Sequence, residues 1–191
     1  MGYKIILASS SPRRKELLAA LGLAFEVIHP SSDETVSGNE TPEDFVLRVS
    51  AEKAASVSGR LGDGVIVIGA DTIVVVDGEI LGKPGDSKEA SSMLRKLSGK
   101  EHRVYTAFSI VRPKNEILHS EIVDTRVRVK PLAASEIEGY IKTGEPMDKA
   151  GAYGIQGIGS FMVSGIEGSY SNVVGLPADE LLAALKKLGI V

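Results

Sequence analysis

The sequence predicts a mixed α/β fold, and three patterns indicate it. In the first half of the chain, short apolar runs typical of buried strands alternate with segments of helical periodicity. A nearly continuous β-branched stretch at residues 65–76 is typical of a central strand. Two long strand-like segments, at residues 102–111 and 117–129, are joined by a turn and predict an antiparallel pair. Because of this pair, the predicted sheet is mixed and not a purely doubly wound one.

Both helices predicted in the first third of the chain begin with a capping residue followed by proline. Ser11 and Pro12 begin the first helix, and Thr41 and Pro42 begin the second. A hydroxyl side chain accepts a hydrogen bond from a free N–H group of the first turn, and proline fits there because its missing N–H is not needed. The strands predicted around the first helix cover residues 5–8 and 25–28.

Glycine, proline and serine mark most of the remaining boundaries. The predicted elements, in chain order, are a hairpin turn at residues 77–78 with a return strand at 79–81, a helix at 88–97, a short helix capped by Ser135, a glycine-rich loop at 151–159, strands at 161–166 and 171–174, and a last helix that begins at Pro177. No repeat or linker divides the chain, so we interpret residues 1–191 as one domain.

The composition is that of an ordinary globular protein and excludes several classes of function. The 191 residues are 43% hydrophobic and 25% charged, with a net charge of -3. This acidic balance and the few aromatic residues disfavour a nucleic-acid-binding module. There are no cysteines, so disulfides, thiolate metal sites and cysteine nucleophiles are excluded. With no signal peptide in view and no apolar stretch long enough to span a bilayer, the sequence predicts a cytoplasmic protein with no membrane partner.

A basic segment directly follows the first predicted strand. Ser9 and Ser11 lie in the turn, and Arg13 and Arg14 lie in the first turn of the helix. Cations at this place oppose the positive end of the helix dipole. The conflict disappears if serine hydroxyls and N–H groups hold phosphate oxygens there and the arginines bind the same group. A solvated basic helix start is the alternative, and we favour phosphate binding because a broken local rule often marks a functional site.

Two ionisable residues lie where the pattern predicts apolar ones. Lys53 falls on the apolar stripe of the second helix, where it either extends along the stripe to solvent or meets an anion in a cleft. Asp71 interrupts the apolar strand, and a buried charge is costly unless a cation or hydrogen bonds compensate it. A strand kink at Gly69 would explain a break in the strand but does not need a charge. We therefore interpret Asp71 as a residue that binds Mg²⁺ or activates water.

The loop after the second predicted strand carries two further carboxylates, Asp33 and Glu34. They would complete a metal site with Asp71, and a solvated acidic loop is an equal alternative. Other signatures are absent, because no P-loop sequence occurs and the three histidines lack metal-ligand spacing.

Seven short motifs occur in order along nearly the whole chain. They are Ser9-x-Ser11-Pro12-Arg13-Arg14, Glu52-Lys53-Ala54, Gly69-Ala70-Asp71-Thr72, Gly82-Lys83-Pro84, His102-x-Val104-x-Thr106, Asp148-Lys149-Ala150-Gly151-Ala152-Tyr153-Gly154-Ile155-Gln156-Gly157 and Val174-Gly175-Leu176-Pro177. Each is weak alone, but together they resemble the Maf family of nucleoside triphosphate pyrophosphatases. The resemblance implies an elongated, two-lobed α/β fold with a central cleft, similar to inosine triphosphate pyrophosphatases.

The resemblance also implies an activity, which is hydrolysis of a nucleoside triphosphate to the monophosphate and pyrophosphate. It implies a divalent cation, for which we expect Mg²⁺, with Mn²⁺ or Co²⁺ as alternatives. The combination of Arg13, Thr72 and Gln156 looks like the branch of the family that acts on dTTP and UTP. The family was first described through septum formation, so a role in cell division is open, as is a homodimer.

The resemblance and the chemistry of the residues assign the same roles in hydrolysis to the candidate site residues. Asp71 is the expected base and Glu34 its partner at the metal. The expected cations around the triphosphate are Arg13, Arg14, Lys53 and Lys83. A rival hypothesis is a nucleotide-sensing regulator of septum formation that binds a triphosphate without significant turnover.

Overall fold

The structure is a computed structural model and describes residues 2–32, 34–36 and 40–191. Within these ranges the strands are β1 (Lys4–Ala8), β2 (Phe25–Ile28), β3 (Val65–Val76), β4 (Glu79–Leu81), β5 (Glu101–Arg112), β6 (Glu116–Val129) and β7 (Val163–Glu167). The α-helices are α1 (Pro12–Ala20), α2 (Pro42–Ser58), α3 (Ser87–Leu97), α4 (Ala134–Lys142), α5 (Tyr170–Val174) and α6 (Ala178–Lys187). None of these helices is long and apolar enough to cross a membrane.

The strands form a mixed sheet, which confirms the predicted fold class. Their hydrogen-bonded order is β2-β1-β3-β5-β6-β7, and β4 pairs with β3. β1 runs parallel to both β2 and β3, whereas β4 is antiparallel to β3 and β7 is antiparallel to β6. Parallel strands joined by helices and antiparallel hairpins therefore occur in one sheet.

The chain divides into two compact units. Unit 1 comprises Met1–Thr72, Thr106–Val123 and Gly175–Val191, and unit 2 comprises Ile73–Tyr105 and Asp124–Val174. The long strands β3, β5 and β6 each contribute residues to both units. The interpretation of residues 1–191 as one domain and the implied central cleft stay predictions.

Unit 1 buries both faces of β1, as a parallel strand requires. Ile5 and Leu7 belong to an apolar cluster with residues of α1 and α6, among them Leu18 and Leu185. The alternate residue Ile6 belongs to a second cluster with residues of α2. Helices therefore cover both faces of these strands, and the period of two along β1 divides its side chains between them.

Unit 2 has its core on one face of its strands. Val104 and Val127 pack in one cluster with residues of α3 and α4, among them Leu94 and Tyr140. On β6 the neighbouring residue Arg126 is exposed, so the strand alternates between core and solvent.

The two proline-led helix starts are confirmed. The Ser11 hydroxyl oxygen accepts a hydrogen bond from the N–H of Arg14 at 3.4 Å, and the Thr41 hydroxyl oxygen accepts one from the N–H of Asp44 at 3.1 Å. Each hydroxyl satisfies a donor that the first helical turn leaves without a backbone partner.

The predicted cap of α4 is wrong. The N-cap residue is Ala133 and not Ser135. Alanine has no capping oxygen, but Oε2 of Glu136 accepts a hydrogen bond from the N–H of Ala133 at 2.8 Å, and Oε1 of the same carboxylate binds the ammonium of Lys130 at 2.8 Å. A glutamate inside the first turn thus supplies the negative charge that a helix start favours.

The strand predicted at residues 171–174 is also wrong, because this segment lies in the short helix α5. Ser169 Oγ accepts a hydrogen bond from the N–H of Asn172 at 3.3 Å. The buried amide of Asn172 donates to the carbonyl of Val104 at 3.0 Å and to Thr125 Oγ1 at 2.8 Å. These bonds to distant residues override the local strand preference of the valines.

Gly69 of β3 faces α2 at a place with no room for a side chain. A Cβ atom there would lie 2.3 Å from the carbonyl oxygen of Ser50 and 2.6 Å from the nitrogen of Ala54. We expect Gly69→Ala to lower the free energy of unfolding by ~1–3 kcal/mol, because backbone must move to admit the methyl group. Urea unfolding measures this loss. Gly62→Ala is the control, since a Cβ at Gly62 meets nothing within 4 Å, and equal midpoints for the two variants would contradict the expectation.

His102 is buried in unit 2 with one hydrogen-bonding partner. Its Nε2 atom lies 2.7 Å from Tyr153 Oη, and its Nδ1 atom has no partner among the described residues. Burial lowers the pKa of His102 from 6.5 to about 4. The folded protein therefore holds this imidazole neutral over a range of pH in which the unfolded chain protonates it.

We expect the free energy of unfolding to fall as the pH decreases from 6.5 to about 4. Only the unfolded chain gains the proton in this window, so the loss from His102 reaches at most about 3 kcal/mol. His102→Gln keeps a hydrogen-bonding partner for Tyr153 and does not titrate, so it should flatten this dependence. Urea midpoints at neutral pH and at about pH 4.5 check it, with His29→Gln, at an exposed histidine, as the control. An unchanged pH dependence in His102→Gln would show that other groups cause the acid loss.

Candidate active site

In unit 1 the carboxyl ends of β1 and β2 lie at one edge of the sheet, level with Gly69 in the middle of β3. Ala8 pairs with Ile28 on one side and with Gly69 on the other, and all three strands are parallel. The chain that continues from these three residues carries the serine turn, Glu34 and Asp71 respectively. Parallel α/β sheets bind ligands at this edge. The strand register thus brings together three regions that the sequence singles out separately.

Lys53 joins two carboxylates at this edge. Its Nζ atom lies 2.7 Å from Asp71 Oδ1 and 2.8 Å from Glu34 Oε1. The side chains of Lys53 and Asp71 are only 8% and 10% exposed, whereas that of Glu34 is 50% exposed. Of the two outcomes predicted for Lys53, the structure shows the inward one, and the anion that it meets is Asp71. A buried pair of this kind compensates the cost of burying either charge alone.

Asp71 uses one carboxylate oxygen for this ion pair. Among the described residues, no hydrogen-bond donor contacts its Oδ2 atom. The strand holds the side chain in place while the ammonium of Lys53 orients it through Oδ1. Oδ2 is therefore free to accept a proton or to bind a cation.

The side chain of Arg14 is directed into unit 1 and donates hydrogen bonds to Gly175 and Thr72. Its Nε atom donates to the carbonyl of Gly175 at 2.7 Å, and its Nη2 atom donates to Thr72 Oγ1 at 2.9 Å. Burial lowers the pKa of Arg14, and the charge of Asp71 partly opposes that effect. Two of the three guanidinium nitrogens thus serve the protein, which leaves Nη1 as the atom for the predicted contact with phosphate.

The serine turn has the geometry of a donor site. Ser9 is buried, and its hydroxyl oxygen accepts a hydrogen bond from the N–H of Ser11 at 3.1 Å. Ser11 caps α1 through its own hydroxyl oxygen. Both hydroxyl groups are acceptors in these bonds, so each keeps its proton for a further acceptor. Arg13 is partly buried in the same helical turn, which contains no acidic residue.

Lys83 and Gln156 belong to unit 2, whereas the other predicted site residues belong to unit 1. The side chain of Lys83 is exposed and that of Gln156 is partly buried, and neither side chain has a hydrogen-bond partner among the described residues. The carbonyl of Gly82 accepts a hydrogen bond from the N–H of Gly151 at 3.0 Å. Within unit 2, this bond links the segment of Lys83 to the start of the glycine-rich segment that carries Gln156.

The carboxylates of Glu34 and Asp71 are donors of the kind that a divalent cation takes. Within the described ranges, no cluster of three or more histidine, aspartate or glutamate side chains is placed to hold a metal, and Asp33 lies outside those ranges. However, Glu34 and Asp71 both direct an oxygen at one cationic atom, Nζ of Lys53. One or two carboxylates completed by phosphate oxygens and water are the usual ligands of Mg²⁺.

A family model described as Maf-like protein matches residues 4–188. The chain belongs to the Maf family. A relative from Geotalea uraniireducens (strain Rf4), named dTTP/UTP pyrophosphatase, is 52% identical over 98% of this chain and 96% of its own length. One of the same name from Syntrophus aciditrophicus (strain SB) is 48% identical over 97% of this chain and 90% of its own length. Among solved structures, a HAM1 protein from Coxiella burnetii gives a TM-score of 0.47 with 16% identity, over 66% of this chain and 73% of that one.

Two contacts of Thr72 in this Maf-family chain were not predicted. Its hydroxyl oxygen lies 3.0 Å from Thr106 Oγ1 and 3.4 Å from the carbonyl oxygen of Gly175. Both partners lie in motifs that carry the family resemblance, but they are far from Thr72 in sequence. Gly175 has a φ of 128°, and glycine adopts this backbone conformation more readily than other residues.

Proposed function

We propose that this Maf-family protein hydrolyses dTTP and UTP to the monophosphate and pyrophosphate. The observation that carries the proposal is the buried Asp71, which Lys53 orients through Oδ1 and whose Oδ2 atom contacts no hydrogen-bond donor among the described residues. The close relatives named dTTP/UTP pyrophosphatase support the same substrates. A purely structural ion pair would not require a second carboxylate, Glu34, at the same ammonium.

In the proposed reaction, the oxygen of a water molecule forms a bond to the α-phosphorus. The bond between that phosphorus and the bridging oxygen of pyrophosphate breaks, and its electron pair leaves with pyrophosphate. Asp71 accepts the proton of the water at Oδ2, and the ammonium of Lys53 holds the carboxylate in place through Oδ1. The hydroxyl protons of Ser9 and Ser11 and the cations of Arg13 and Lys83 bind the phosphate oxygens.

The Maf-family relatives suggest a divalent cation in general, and we propose that it is Mg²⁺. Glu34 and Asp71 would hold it, because both carboxylates contact the same ammonium and so lie close together, and carboxylate oxygens are hard donors; Asp71 would use Oδ2, since Oδ1 contacts Lys53. When bound, such a cation withdraws negative charge from phosphate oxygens. A homodimer, a role in septum formation and a place in the cytoplasm stay predictions.

Turnover separates this proposal from the rival nucleotide-sensing regulator. The protein is incubated with each common nucleoside triphosphate and Mg²⁺, and pyrophosphate is measured over time. An enzyme releases pyrophosphate continuously over many turnovers, whereas a binding protein stops at one equivalent or less. Release limited to one equivalent with every nucleotide would favour the regulator.

Gln156 is the proposed reader of the base. Its amide has both a donor and an acceptor, as the N3–H and carbonyl edge of thymine or uracil requires. We expect kcat/KM to be high for dTTP and UTP, lower for CTP and low for ATP, because an unpaired buried polar group costs ~1–3 kcal/mol. Gln156→Leu should narrow the difference between UTP and ATP. Equal kcat/KM for UTP and ATP in the wild type would refute the base preference and leave the hydrolysis proposal standing.

A further inference from the structure

Glu145 of unit 2 binds the glycine-rich segment that carries Gln156, although no motif in the sequence singles it out. Its Oε1 atom accepts a hydrogen bond from the N–H of Gly159 at 3.0 Å, and its Oε2 atom accepts one from the N–H of Ile158 at 3.0 Å. Tyr140 Oη donates to the same Oε1 atom at 2.9 Å. One carboxylate therefore receives three hydrogen bonds, two of them from adjacent peptide groups of the segment.

Tyr140 extends this attachment to the other end of the segment. Its hydroxyl oxygen accepts a hydrogen bond from the N–H of Gly154 at 3.2 Å while its proton is donated to Glu145. The ring of Tyr140 is buried in the core of unit 2. Gln156 lies midway between the two attached ends, Gly154 and Ile158, and its own amide has no partner among the described residues. The protein thus holds the backbone on both sides of Gln156 and leaves its side chain available.

The two glycines beside these contacts allow the close approach. A Cβ atom at Gly157 would lie 2.9 Å from Glu145 Oε2, and one at Gly159 would lie 2.6 Å from Tyr140 Oη. Gly157 also has a φ of 74°, which strains other residues. A side chain at either glycine would therefore prevent the segment from approaching the Tyr140–Glu145 pair this closely.

The hydrogen bonds of Glu145 and Tyr140 require an ionised carboxylate and a protonated phenol, and the pKa shifts of both groups favour these states. Burial raises the pKa of Glu145, but the bonds from Gly159, Ile158 and Tyr140 outweigh burial and place the pKa below its ordinary value. Burial raises the pKa of Tyr140, so its phenol keeps the proton that it donates. An ionised carboxylate can accept all three bonds, whereas a protonated carboxyl would turn one acceptor into a donor.

We propose that Glu145 is a positioning residue for base recognition, which acts by holding the segment of residues 154–159 so that the amide of Gln156 meets the pyrimidine. This inference rests on the proposed function, in which Gln156 reads the base. It adds that selectivity depends on a carboxylate that itself touches no substrate. Glu145 is expected to affect the choice between bases and the KM for UTP more than it affects the chemical step, which belongs to Asp71.

The test is Glu145→Gln, which preserves size but replaces one acceptor oxygen by an NH₂ group that faces N–H or O–H donors. We expect the KM for UTP to rise about tenfold, a cost typical of a lost set of buried hydrogen bonds. We expect kcat for UTP to change less than twofold and the UTP-to-ATP ratio of kcat/KM to fall. Glu138→Gln, at an exposed position of α4, is the matched control and should change neither value.

A double-variant cycle shows whether Glu145 acts through Gln156. In a Gln156→Leu background, Glu145→Gln should leave the UTP-to-ATP ratio unchanged, because the reader is already lost. An equal fall of the ratio in both backgrounds, or a loss of kcat for all nucleotides alike, would overturn the inference. If Glu145→Gln does not fold, Tyr140→Phe is the second variant. It removes the hydrogen bonds of Tyr140 Oη to Gly154 and to Glu145, leaves those of Glu145 to Ile158 and Gly159, and should lower the ratio in the same direction. If Tyr140→Phe had the wild-type UTP-to-ATP ratio of kcat/KM, the inference would also be overturned.

Failure of the inference differs from failure of the proposed function. If the wild type prefers UTP and Gln156→Leu removes that preference, but Glu145→Gln keeps it, the inference alone is wrong. If the wild type does not distinguish UTP from ATP, the base-reading role of Gln156 is wrong and the inference is refuted with it. Amide hydrogen exchange at Ile158 and Gly159 reports the state of the segment independently of activity, and we expect faster exchange in Glu145→Gln.

Discussion

Asp71→Asn is expected to lower kcat for UTP by ~10²-fold or more and to leave the fold and the binding of nucleotide largely intact. Asparagine has the same shape, and its amide oxygen can still accept the hydrogen bond from Lys53 that Oδ1 accepts in the wild type. An amide cannot take the proton of the attacking water, and it is a poorer ligand for Mg²⁺. The variant therefore removes the chemistry at this position while it retains the packing.

Three measurements check this expectation. Pyrophosphate release gives kcat, calorimetric titration with a non-hydrolysable UTP analogue gives the Kd, and urea unfolding gives the stability. Asp63→Asn is the matched control, because this exposed carboxylate of unit 1 is in a loop. A kcat close to that of the wild type would remove Asp71 both as the base and as a required metal ligand.

The sequence predicts the elements around this site well because their signals are local. The hydroxyl and proline at the start of α1 and of α2, and the β-branched run of β3, each act over a few residues. The position of Lys53 on the apolar stripe of α2 also follows from helical periodicity alone, which leaves open whether its ammonium extends to solvent or meets an anion. What its ammonium would meet could not be predicted, since that depends on how α2 packs against β3.

The contacts of Arg14 also could not be predicted from the sequence. The sequence places Arg13 and Arg14 in one helical turn and assigns phosphate binding to both. Adjacent residues of a helix point about 100° apart, so both cannot face one ligand equally. The structure directs Arg14 to Thr72 and to the carbonyl of Gly175, which is 161 residues away in the chain. Only the packing of distant segments decides which arginine braces the site.

The wrong predictions have a related cause. The valines of α5 favour a strand locally, but the buried amide of Asn172 finds its acceptors on β5 and β6 and requires a turn of helix. Glu145 has no local signature, because its donors come from Tyr140 and from peptide N–H groups in the next glycine-rich segment. Patterns of residue types along the sequence do not reveal a carboxylate that binds backbone N–H groups.

Lys53→Met is expected to reduce both stability and activity, because one ammonium serves both. Methionine keeps the apolar stem of the side chain but leaves the buried carboxylate of Asp71 without its cation. Removing one partner of a buried pair typically lowers the free energy of unfolding by ~3–5 kcal/mol. Glu34 carries the same negative charge as Asp71 and cannot replace the missing cation. We expect a clear fall in the urea midpoint and a loss of kcat/KM for UTP of ~10²-fold. Lys15→Met, at an exposed position of α1, should change neither.

A second substitution separates the two roles of Lys53. In Lys53→Met/Asp71→Asn the unpaired charge is gone, so most of the lost stability should return. Activity should not return, because the double variant has neither the base nor the ammonium that orients it. Recovery of the urea midpoint without recovery of kcat would show that the ion pair stabilises the fold and that catalysis requires its charges in addition. If Lys53→Met alone kept its stability and its kcat/KM, the ammonium would be dispensable, and the proposed orientation of Asp71 would be refuted.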